Sequence, residues 1–263
     1  MALTEKLTAI ADAIREKTGK TAALTLGEMP VEIAGIQPGG EANASNEDAI
    51  LEGNITEYSN DRISVVGFGR FYGAERLESV SLPNVTELLT GQHFSGCTSL
   101  KKVHLPSCVA LGQAQGYSFN NCTALEEIEM PSVTSCGSYT FQGCKSLVRA
   151  YFPALARTAY GMFRYDTSLR VVVFGGISRS AKMASLCFYA CAVFDTLVIK
   201  NTSVVVLENV NTFQETPFAS GGTGGTVYVP QALIEQYQNA TNWSTLYAAG
   251  TCTFLSIEGS EYE

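Results

Sequence analysis

The sequence has few charged side chains and almost no histidine. Charged residues make up 16% of the 263 residues, and His93 and His104 are the two imidazoles. Soluble domains carry roughly 25% charged residues, so this chain has few side chains for charge-based recognition of a partner. Lysine and arginine number 17 against 25 acidic residues. This balance disfavours nucleic acid and anionic membranes as partners, because both are bound through neutralisation of negative charge.

Long apolar runs are also missing. No stretch of about eighteen apolar residues occurs, so no transmembrane helix and no membrane insertion are expected. The segment MALTEKLTAIADAIREKTGK carries charges throughout and has no apolar core of a signal peptide. A protein of this kind that acts outside a cell is expected to leave by another route or as part of a particle; otherwise it is cytoplasmic before assembly.

An internal repeat dominates the rest of the sequence. Six segments share the pattern F-x2-C-x2-L-x2-V-x-L, with conservative changes at the apolar positions and Ala or Asp at some cysteine positions. Their first residues are Phe71, Phe94, Phe119, Phe141, Phe163 and Phe188, which stand 22 to 25 residues apart. A degenerate seventh copy is expected from Phe218, followed by Val227, Val229 and Pro230.

The spacing within each repeat predicts its conformation. Apolar residues at every third position suit a tight, 3₁₀-like turn, and the alternating end suits a half-buried strand that is stopped by proline. One copy is too small to bury its own apolar face, so the copies must stack. We therefore predict a solenoid of about six to eight coils with a parallel sheet along one face.

The repeat resembles the BspA-like leucine-rich repeat of bacterial surface and phage-borne proteins. The resemblance covers roughly residues 55–230 and implies a leucine-rich-repeat solenoid with a binding role. The fourth to sixth copies depart from the pattern, for example at Asp166 and Gly175, so irregular coils are expected there.

The flanks predict a short helical N-terminal unit and a helical C-terminal cap in which Trp243 and Tyr247 seal the last coil. The N-terminal segment resembles a stretch found in tail-associated proteins of phages and prophages of Gram-positive gut bacteria, which implies anchoring or homo-oligomerisation through its helix. The predicted domains are 1–36 (helical unit), 37–47 (flexible linker), 48–230 (repeats) and 231–263 (cap).

The chemically reactive residues fit structural roles better than catalytic ones. Four of the eight cysteines occupy one repeat position, where Ala74 replaces them in the first copy, so buried reduced thiols are expected rather than disulfides or a metal site. The two histidines have no catalytic spacing. Glu126, Glu127 and Glu129 cluster, but two of them alternate outward on a strand without an implied cleft. We expect no catalytic residues, no cofactor and no metal.

The outward face of the sheet is the candidate binding surface. Its rows alternate in charge in the first repeats, which favours register and solubility, and become aromatic and aliphatic in the later ones. Packing by the C-terminal segment or by another subunit explains the later rows equally well. The candidate contact residues are His104, Arg149, Tyr151, Arg170 and Val173.

The sequence therefore predicts a non-enzymatic recognition protein whose partner is a protein or a cell-surface glycan. The favoured interpretation is a tail-associated, receptor-binding module of a phage or prophage, located on a virion tail or at a cell surface. The alternatives are a bacterial cell-surface adhesin and, less favoured, an enzyme that acts on carbohydrate, which would need converging carboxylates in a pocket.

Overall fold

Each repeat contributes one strand to a long wall, as its alternating end predicts. The computed structural model describes residues 55–178 and 181–263; the predicted N-terminal helices and linker lie outside them. The strands are β1 Glu57–Ser59, β2 Val65–Val66, β3 Ser79–Ser81, β4 Glu87–Leu88, β5 Lys102–His104, β6 Ala110–Leu111, β7 Glu127–Glu129, β8 Ser135–Cys136, β9 Arg149–Phe152, β10 Val171–Phe174, β11 Lys182–Met183, β12 Thr196–Ile199, β13 Val206–Leu207, β14 Gly225–Val229 and β15 Cys252–Ser256.

All strand pairs are parallel, which confirms the predicted solenoid. The strand wall consists of a three-stranded sheet, β1-β3-β5, and a six-stranded sheet in the order β7-β9-β10-β12-β14-β15. Two-residue strands form two shorter sheets on another side of the coils, β2-β4-β6-β8 and β11-β13; the described stretch between β9 and β10 contains no short strand. Equivalent repeat positions face each other, for example Ile128 with Ala150 and Val172 with Leu197.

The wall is interrupted earlier than the sequence predicts. The longest repeat strands are β9, β10 and β12, which belong to the fourth to sixth copies. The expectation of irregular coils there is wrong for the strand wall, because the inward apolar positions are retained although the fifth copy lacks both Cys and Pro. It is correct for the short strands, whose pairing is broken between β8 and β11. The pairing instead stops between β5 and β7, where the two sheets of the wall meet.

A column of stacked phenylalanine rings runs through the interior. Ring centroids of successive repeat phenylalanines are 4.9 to 5.7 Å apart, with planes within 12° of parallel. The column continues from Phe188 to Phe213, at 5.5 Å and 9°. The seventh ring is therefore Phe213 and not the predicted Phe218, which lies tilted beside it. The predicted strand with Val227 and Val229 is correct.

The predicted turns are held by short-range backbone hydrogen bonds. In the second coil, for example, the amide of Cys97 donates to the carbonyl of Phe94, and that of Leu100 donates to the carbonyl of Cys97, each at 3.1 Å. These three-residue steps confirm the 3₁₀-like turn. Because the turn repeats in every coil, it places one ring and one small side chain of each coil in the core.

The repeat cysteines do more than fill space. Each thiol donates a hydrogen bond to the carbonyl of the repeat phenylalanine one coil earlier, at 2.9 to 3.2 Å; the donors are Cys97, Cys122, Cys144 and Cys191. All eight cysteines are buried and free, as predicted for burial. Each of these carbonyls also accepts a backbone hydrogen bond within its own turn. The thiol therefore adds a second hydrogen bond, which links one coil to the next.

Asp166 stands at the cysteine position of the fifth coil and is fully buried. Its Oδ1 accepts a hydrogen bond from the amide of Cys144 at 2.8 Å, whereas Oδ2 is buried without a partner. Burial raises the pKa of this carboxyl well above 3.8, and the neighbouring thiol of Cys144 adds to the effect. The carboxyl therefore favours its neutral form inside the core.

The C-terminal cap combines helices with a further strand. Two short helices, α1 Ile234–Asn239 and α2 Trp243–Ala248, precede β15, which pairs with β14. Trp243 seals the last coil as predicted, and its Nε1 donates to the carbonyl of Val205 at 2.7 Å. The second sealing ring is Tyr237, whose hydroxyl accepts from the amide of Val205 at 2.9 Å; Tyr247 is exposed.

Candidate functional site

The candidate site lies on the outward face of the strand wall. Side chains alternate along each strand, so Ile128 and Ala150 point into the core while Glu127 and Arg149 face outward. The parallel register sets Glu127 beside Arg149 and Glu129 beside Tyr151 on adjacent strands. Two carboxylates are thereby placed next to a guanidinium and an aromatic ring.

A shallow wall groove of about 260 Å³ opens at this junction. Pockets for drug-sized ligands have volumes of roughly 300–1,000 Å³, so the wall groove suits a single side chain or one unit of a polymer. Its outward-facing lining residues, on β7, β9 and β10, are Glu127, Glu129, Arg149, Tyr151, Val171 and Val173.

The wall groove is acidic on one side and apolar on the other. Glu127 and Glu129 are exposed on β7, whereas Val171 is half-buried and Val173 is buried on β10. Both carboxylates project from the same strand, side by side, and not from opposite sides of a cleft as in glycosidases. The arrangement can hold a cationic group with an aliphatic or aromatic stem.

The structure brings three of the five predicted contact residues together. Arg149, Tyr151 and Val173 line the wall groove. His104 is exposed at the end of β5, in the other sheet of the wall. Arg170 lies just before β10 and faces Asp195 at 3.5 Å. Neither His104 nor Arg170 lines the wall groove, and a contact role for any of the five stays a prediction.

The apolar end of the outward face is covered by the chain itself. Ile257, in the tail that follows β15, packs against Val173 and Val198, which are buried outward residues of β10 and β12. The ring of Tyr262 meets that of Tyr228 at 4.8 Å. The sequence left two explanations for the apolar end, and the C-terminal segment is the one that the structure shows. The part of the outward face beside Tyr151 is not covered by Ile257.

Sequence reasoning left the C-terminal segment open as a cover of the outward face but did not identify the residues that make the contact. A weak signal exists, because Ile257 and Tyr262 are the apolar and aromatic residues of an otherwise polar segment, SIEGSEYE. Periodicity cannot detect such a contact, since the tail is irregular and its partners on β10 are more than eighty residues away in sequence.

The histidines and cysteines stay apart from the wall groove. His93 is fully buried, with Nδ1 3.3 Å from the hydroxyl of Ser118 and Nε2 at the carbonyl of Leu89. Burial lowers its pKa from 6.5 to about 4, so the neutral imidazole is favoured. In residues 55–178 and 181–263, no three His, Cys, Asp or Glu side chains form a group that could hold a metal ion.

Membrane-spanning helices are likewise not found among the described residues, where every helix is too short or too polar to cross a bilayer. The prediction of a phage-tail location depends on residues 1–36, which lie outside the described part, and no comparison supports it.

Comparison with protein families gives one match. The family model described as a BspA type leucine rich repeat region matches residues 64–195 in six copies. These limits contain the first residues of all six repeats, which are Phe71, Phe94, Phe119, Phe141, Phe163 and Phe188. No curated protein matches the chain.

Several solved structures are similar to the chain. A leucine-rich repeat protein of T. pallidum is 25% identical, with 57% of this chain and 72% of that chain covered and a TM-score of 0.49. A leucine-rich repeat protein of Bacteroides ovatus is 17% identical, with 80% and 64% covered and a TM-score of 0.42. A leucine rich cell surface protein of Faecalibacterium prausnitzii is 18% identical, with 68% and 65% covered and a TM-score of 0.43. The chain thus spans slightly less than two thirds of the latter two.

Proposed function

Since the chain belongs to the BspA type leucine-rich repeat family, we propose that it is a non-enzymatic binding protein whose strand wall contacts a protein partner. The observation that carries the proposal is the wall groove, where Glu127, Glu129, Arg149 and Tyr151 are exposed or half-buried on adjacent rigid strands. Tyrosine and arginine are enriched among the residues that dominate binding energies.

The chemistry of the wall groove favours one kind of contact. A lysine or arginine of the partner can place its charged end beside the carboxylates of Glu127 and Glu129 and its aliphatic stem on Tyr151 and Val171. Arg149 then supplies a guanidinium for a carboxylate of the same partner. Such mixed charge fixes the orientation of a partner more than it adds affinity.

The location of the protein remains part of the proposal. Display at a cell surface, as an adhesin, and attachment to a virion tail both use an exposed strand wall and an anchor elsewhere in the chain. The anchor proposed from the sequence is the segment 1–36. Deleting residues 1–36 should leave the thermal unfolding of the repeats intact and abolish oligomerisation or particle incorporation; unchanged assembly would exclude the anchoring role.

Site-specific photo-crosslinking of the full chain tests the wall contact. A photoreactive amino acid replaces Tyr151 in the wall groove or, as the control, Leu89, which is exposed and follows the short strand β4. Exposure to bacterial and host-cell proteins is expected to give a defined adduct from position 151 that is absent from position 89. The added substitution Glu127→Lys should reduce that adduct at least tenfold.

Two results would contradict the proposed function. One is a set of adducts that is identical from positions 151 and 89, which indicates collisions without a site. The other is an adduct from position 151 that survives both Glu127→Lys and Arg149→Glu, since a partner held by the wall groove must respond to reversal of its charges.

A further inference from the structure

A second surface of the molecule is built from tyrosine. Five tyrosines of the third to sixth coils contact one another or share a contact with Arg164, and none of them belongs to a strand of the wall. We call this surface the tyrosine belt; its members are Tyr117, Tyr139, Tyr160, Tyr165 and Tyr189. Because the coils stack, the tyrosine belt runs from coil to coil along the solenoid.

The rings form two groups, Tyr117 with Tyr139 and Tyr160, and Tyr165 with Tyr189. Tyr117 stacks on Tyr139 at 4.9 Å, and Tyr139 meets the edge of Tyr160 at 5.4 Å. The guanidinium of Arg164 lies 4.6 Å from the ring centre of Tyr165 and 4.9 Å from that of Tyr189. Gly161 lies between the two groups of rings. A Cβ atom added to Gly161 would lie 2.7 Å from the ring of Tyr139 and 3.7 Å from Cβ of Arg164, so both side chains pack close to this glycine.

Three of these tyrosines occupy left-handed backbone positions. The φ angles are 57° at Tyr117, 58° at Tyr139 and 67° at Tyr165. A bulky side chain is disfavoured at such angles. The same two repeat positions are left-handed in the other coils as well, for example at Gln92 and Ala190. The tyrosine belt is therefore kept at a conformational cost.

Other coils carry glycine or a non-aromatic residue at these positions, the non-aromatic residues being Gln92, Leu186, Asn121 and Ala190. Glycine takes the place of Tyr117 and Tyr139 in two coils, at Gly69 and Gly161, and glycines with positive φ take the place of Tyr165 in three coils, at Gly73, Gly96 and Gly143. The fold itself does not need a ring at either position. Stacking within the tyrosine belt offsets part of the cost, but Tyr160 and Tyr165 remain 40% exposed, so part of each ring is accessible to a ligand.

The polar surroundings of the tyrosine belt are uncharged or already engaged. Arg164 is held by two rings and donates to the hydroxyl of Tyr165 at 2.8 Å. Glu215 accepts from the hydroxyl of Tyr189 at 2.8 Å. Amide and hydroxyl groups make up the neighbouring positions between the rings, namely Asn121, Ser138 and Gln142, which are exposed or half-buried.

A ligand that matches this surface is neutral, hydroxylated and extended. The face of an aromatic ring is negatively polarised and attracts the C–H groups of a sugar ring, while phenol and amide groups bond sugar hydroxyls. The rings recur with the coils, so they follow a linear chain better than a single sugar. The net charge of −8 opposes a polyanion.

We propose that the tyrosine belt binds a neutral, linear polysaccharide, independently of the protein contact assigned to the strand wall. Tyr160 and Tyr165 supply the ring surfaces that contact the ligand. Tyr117 and Tyr139 support the ring of Tyr160, and Arg164 positions the rings of Tyr165 and Tyr189.

The test uses variants that remove aromatic rings without adding backbone strain. Tyr139→Gly and Tyr165→Gly restore the residue that other coils carry at the same left-handed positions, so the double variant is expected to fold. Tyr72→Ala is the matched control, because Tyr72 is 64% exposed in the first coil and outside the tyrosine belt. The full-length proteins are run in native affinity gels that contain laminarin, linear β-mannan, xylan or, as a polyanion, dextran sulfate.

At least one neutral polymer is expected to retard the wild-type chain and the Tyr72→Ala variant, with an affinity at least tenfold lower for the double variant. Unretarded wild type in all neutral gels would overturn the proposal, as would equal retardation of the double variant. Retardation by dextran sulfate alone would also overturn it. If the double variant lost the photo-crosslinking adduct from position 151 while Tyr72→Ala kept it, the tyrosine belt would belong to the protein contact, and the proposal would be overturned.

Discussion

The carboxyl of Asp166 occupies the place of a cysteine thiol and accepts a hydrogen bond from the amide of Cys144, one coil earlier, at 2.8 Å. In the neighbouring coils the thiol donates to a phenylalanine carbonyl instead. One oxygen of Asp166 is left without a partner in the core. The fifth coil therefore carries a local defect in an otherwise regular column.

Restoring the repeat residue should stabilise the protein. Asp166→Cys removes a buried polar atom that lacks a partner, and such an atom costs about 1–3 kcal/mol. We expect a rise of that order in the free energy of unfolding, measured by urea denaturation at pH 7. Ala74→Cys, at the same repeat position of the first coil, is the control for adding a thiol. A fall in stability with Asp166→Cys alone would contradict this account.

The same carboxyl predicts a pH dependence with a defined sign. The folded state raises the pKa of Asp166 above its ordinary 3.8. The contribution of this titration to the free energy of unfolding is therefore fully present below pH 3.8 and is lost as the pH rises toward the folded pKa. The gain in stability from Asp166→Asn should therefore grow as the pH increases above 4. A difference between variant and wild type that is constant from pH 4 to pH 8 would refute it.

His93 predicts the opposite slope. Its pKa is lowered from 6.5 to about 4, so its contribution is present above 6.5 and is lost as the pH falls toward 4. The loss is on the order of 2–3 kcal/mol. His93→Gln should reduce this loss when unfolding is measured across the range, with His104→Gln as the control for removing an exposed histidine. An unchanged slope in His93→Gln would show that the imidazole is not responsible.

The tail cover can be tested by removing its central side chain. Ile257→Ala should cost about 2 kcal/mol, the lower end of the range for a buried isoleucine, because Ile257 covers Val173 and Val198 near the end of the chain. The uncovered valines should also increase the fluorescence of a hydrophobic dye. Leu255→Ala is the control, since Leu255 is exposed on β15. Equal effects of the two substitutions would argue against a specific cover.

The phenylalanine column should dominate stability. Phe141→Ala removes a fully buried ring that contacts Phe119 and Phe163, and it should cost about 3–5 kcal/mol in urea denaturation. Phe68→Ala is the control, because Phe68 is 56% exposed, and its effect should stay within about 0.5 kcal/mol. Comparable losses from both would mean that the column is not the main stabilising element.

The solenoid could be predicted from the sequence because its determinants are local and repeated. Each phenylalanine stands at a fixed distance from its strand, so six copies agree on one interpretation. Phe213 follows Phe188 at the usual spacing but escaped this reasoning, because Thr216 and Ala219 replace the Cys and Leu of the pattern after it and Phe218 offered a competing ring. Periodicity of apolar residues detects the core but not an irregular coil.

The functional surfaces were less predictable for physical reasons. Arg149 and Tyr151 could be placed on the outward face by strand alternation, yet the cover by Ile257 depends on the path of an irregular tail. The tyrosine belt was missed because left-handed positions are not visible in hydrophobic patterns. Tyr117 and Tyr139, each two residues before a repeat phenylalanine, were the available signal.

The buried thiols can report the order in which the coils unfold. Burial raises the pKa of every one of the eight cysteines, and the thiolate is the form that reacts with iodoacetamide. Each cysteine therefore becomes alkylated only once its own coil has opened. Because they are distributed from the second coil to the cap, peptide mass spectrometry of timed labelling in urea would show the order in which the coils separate.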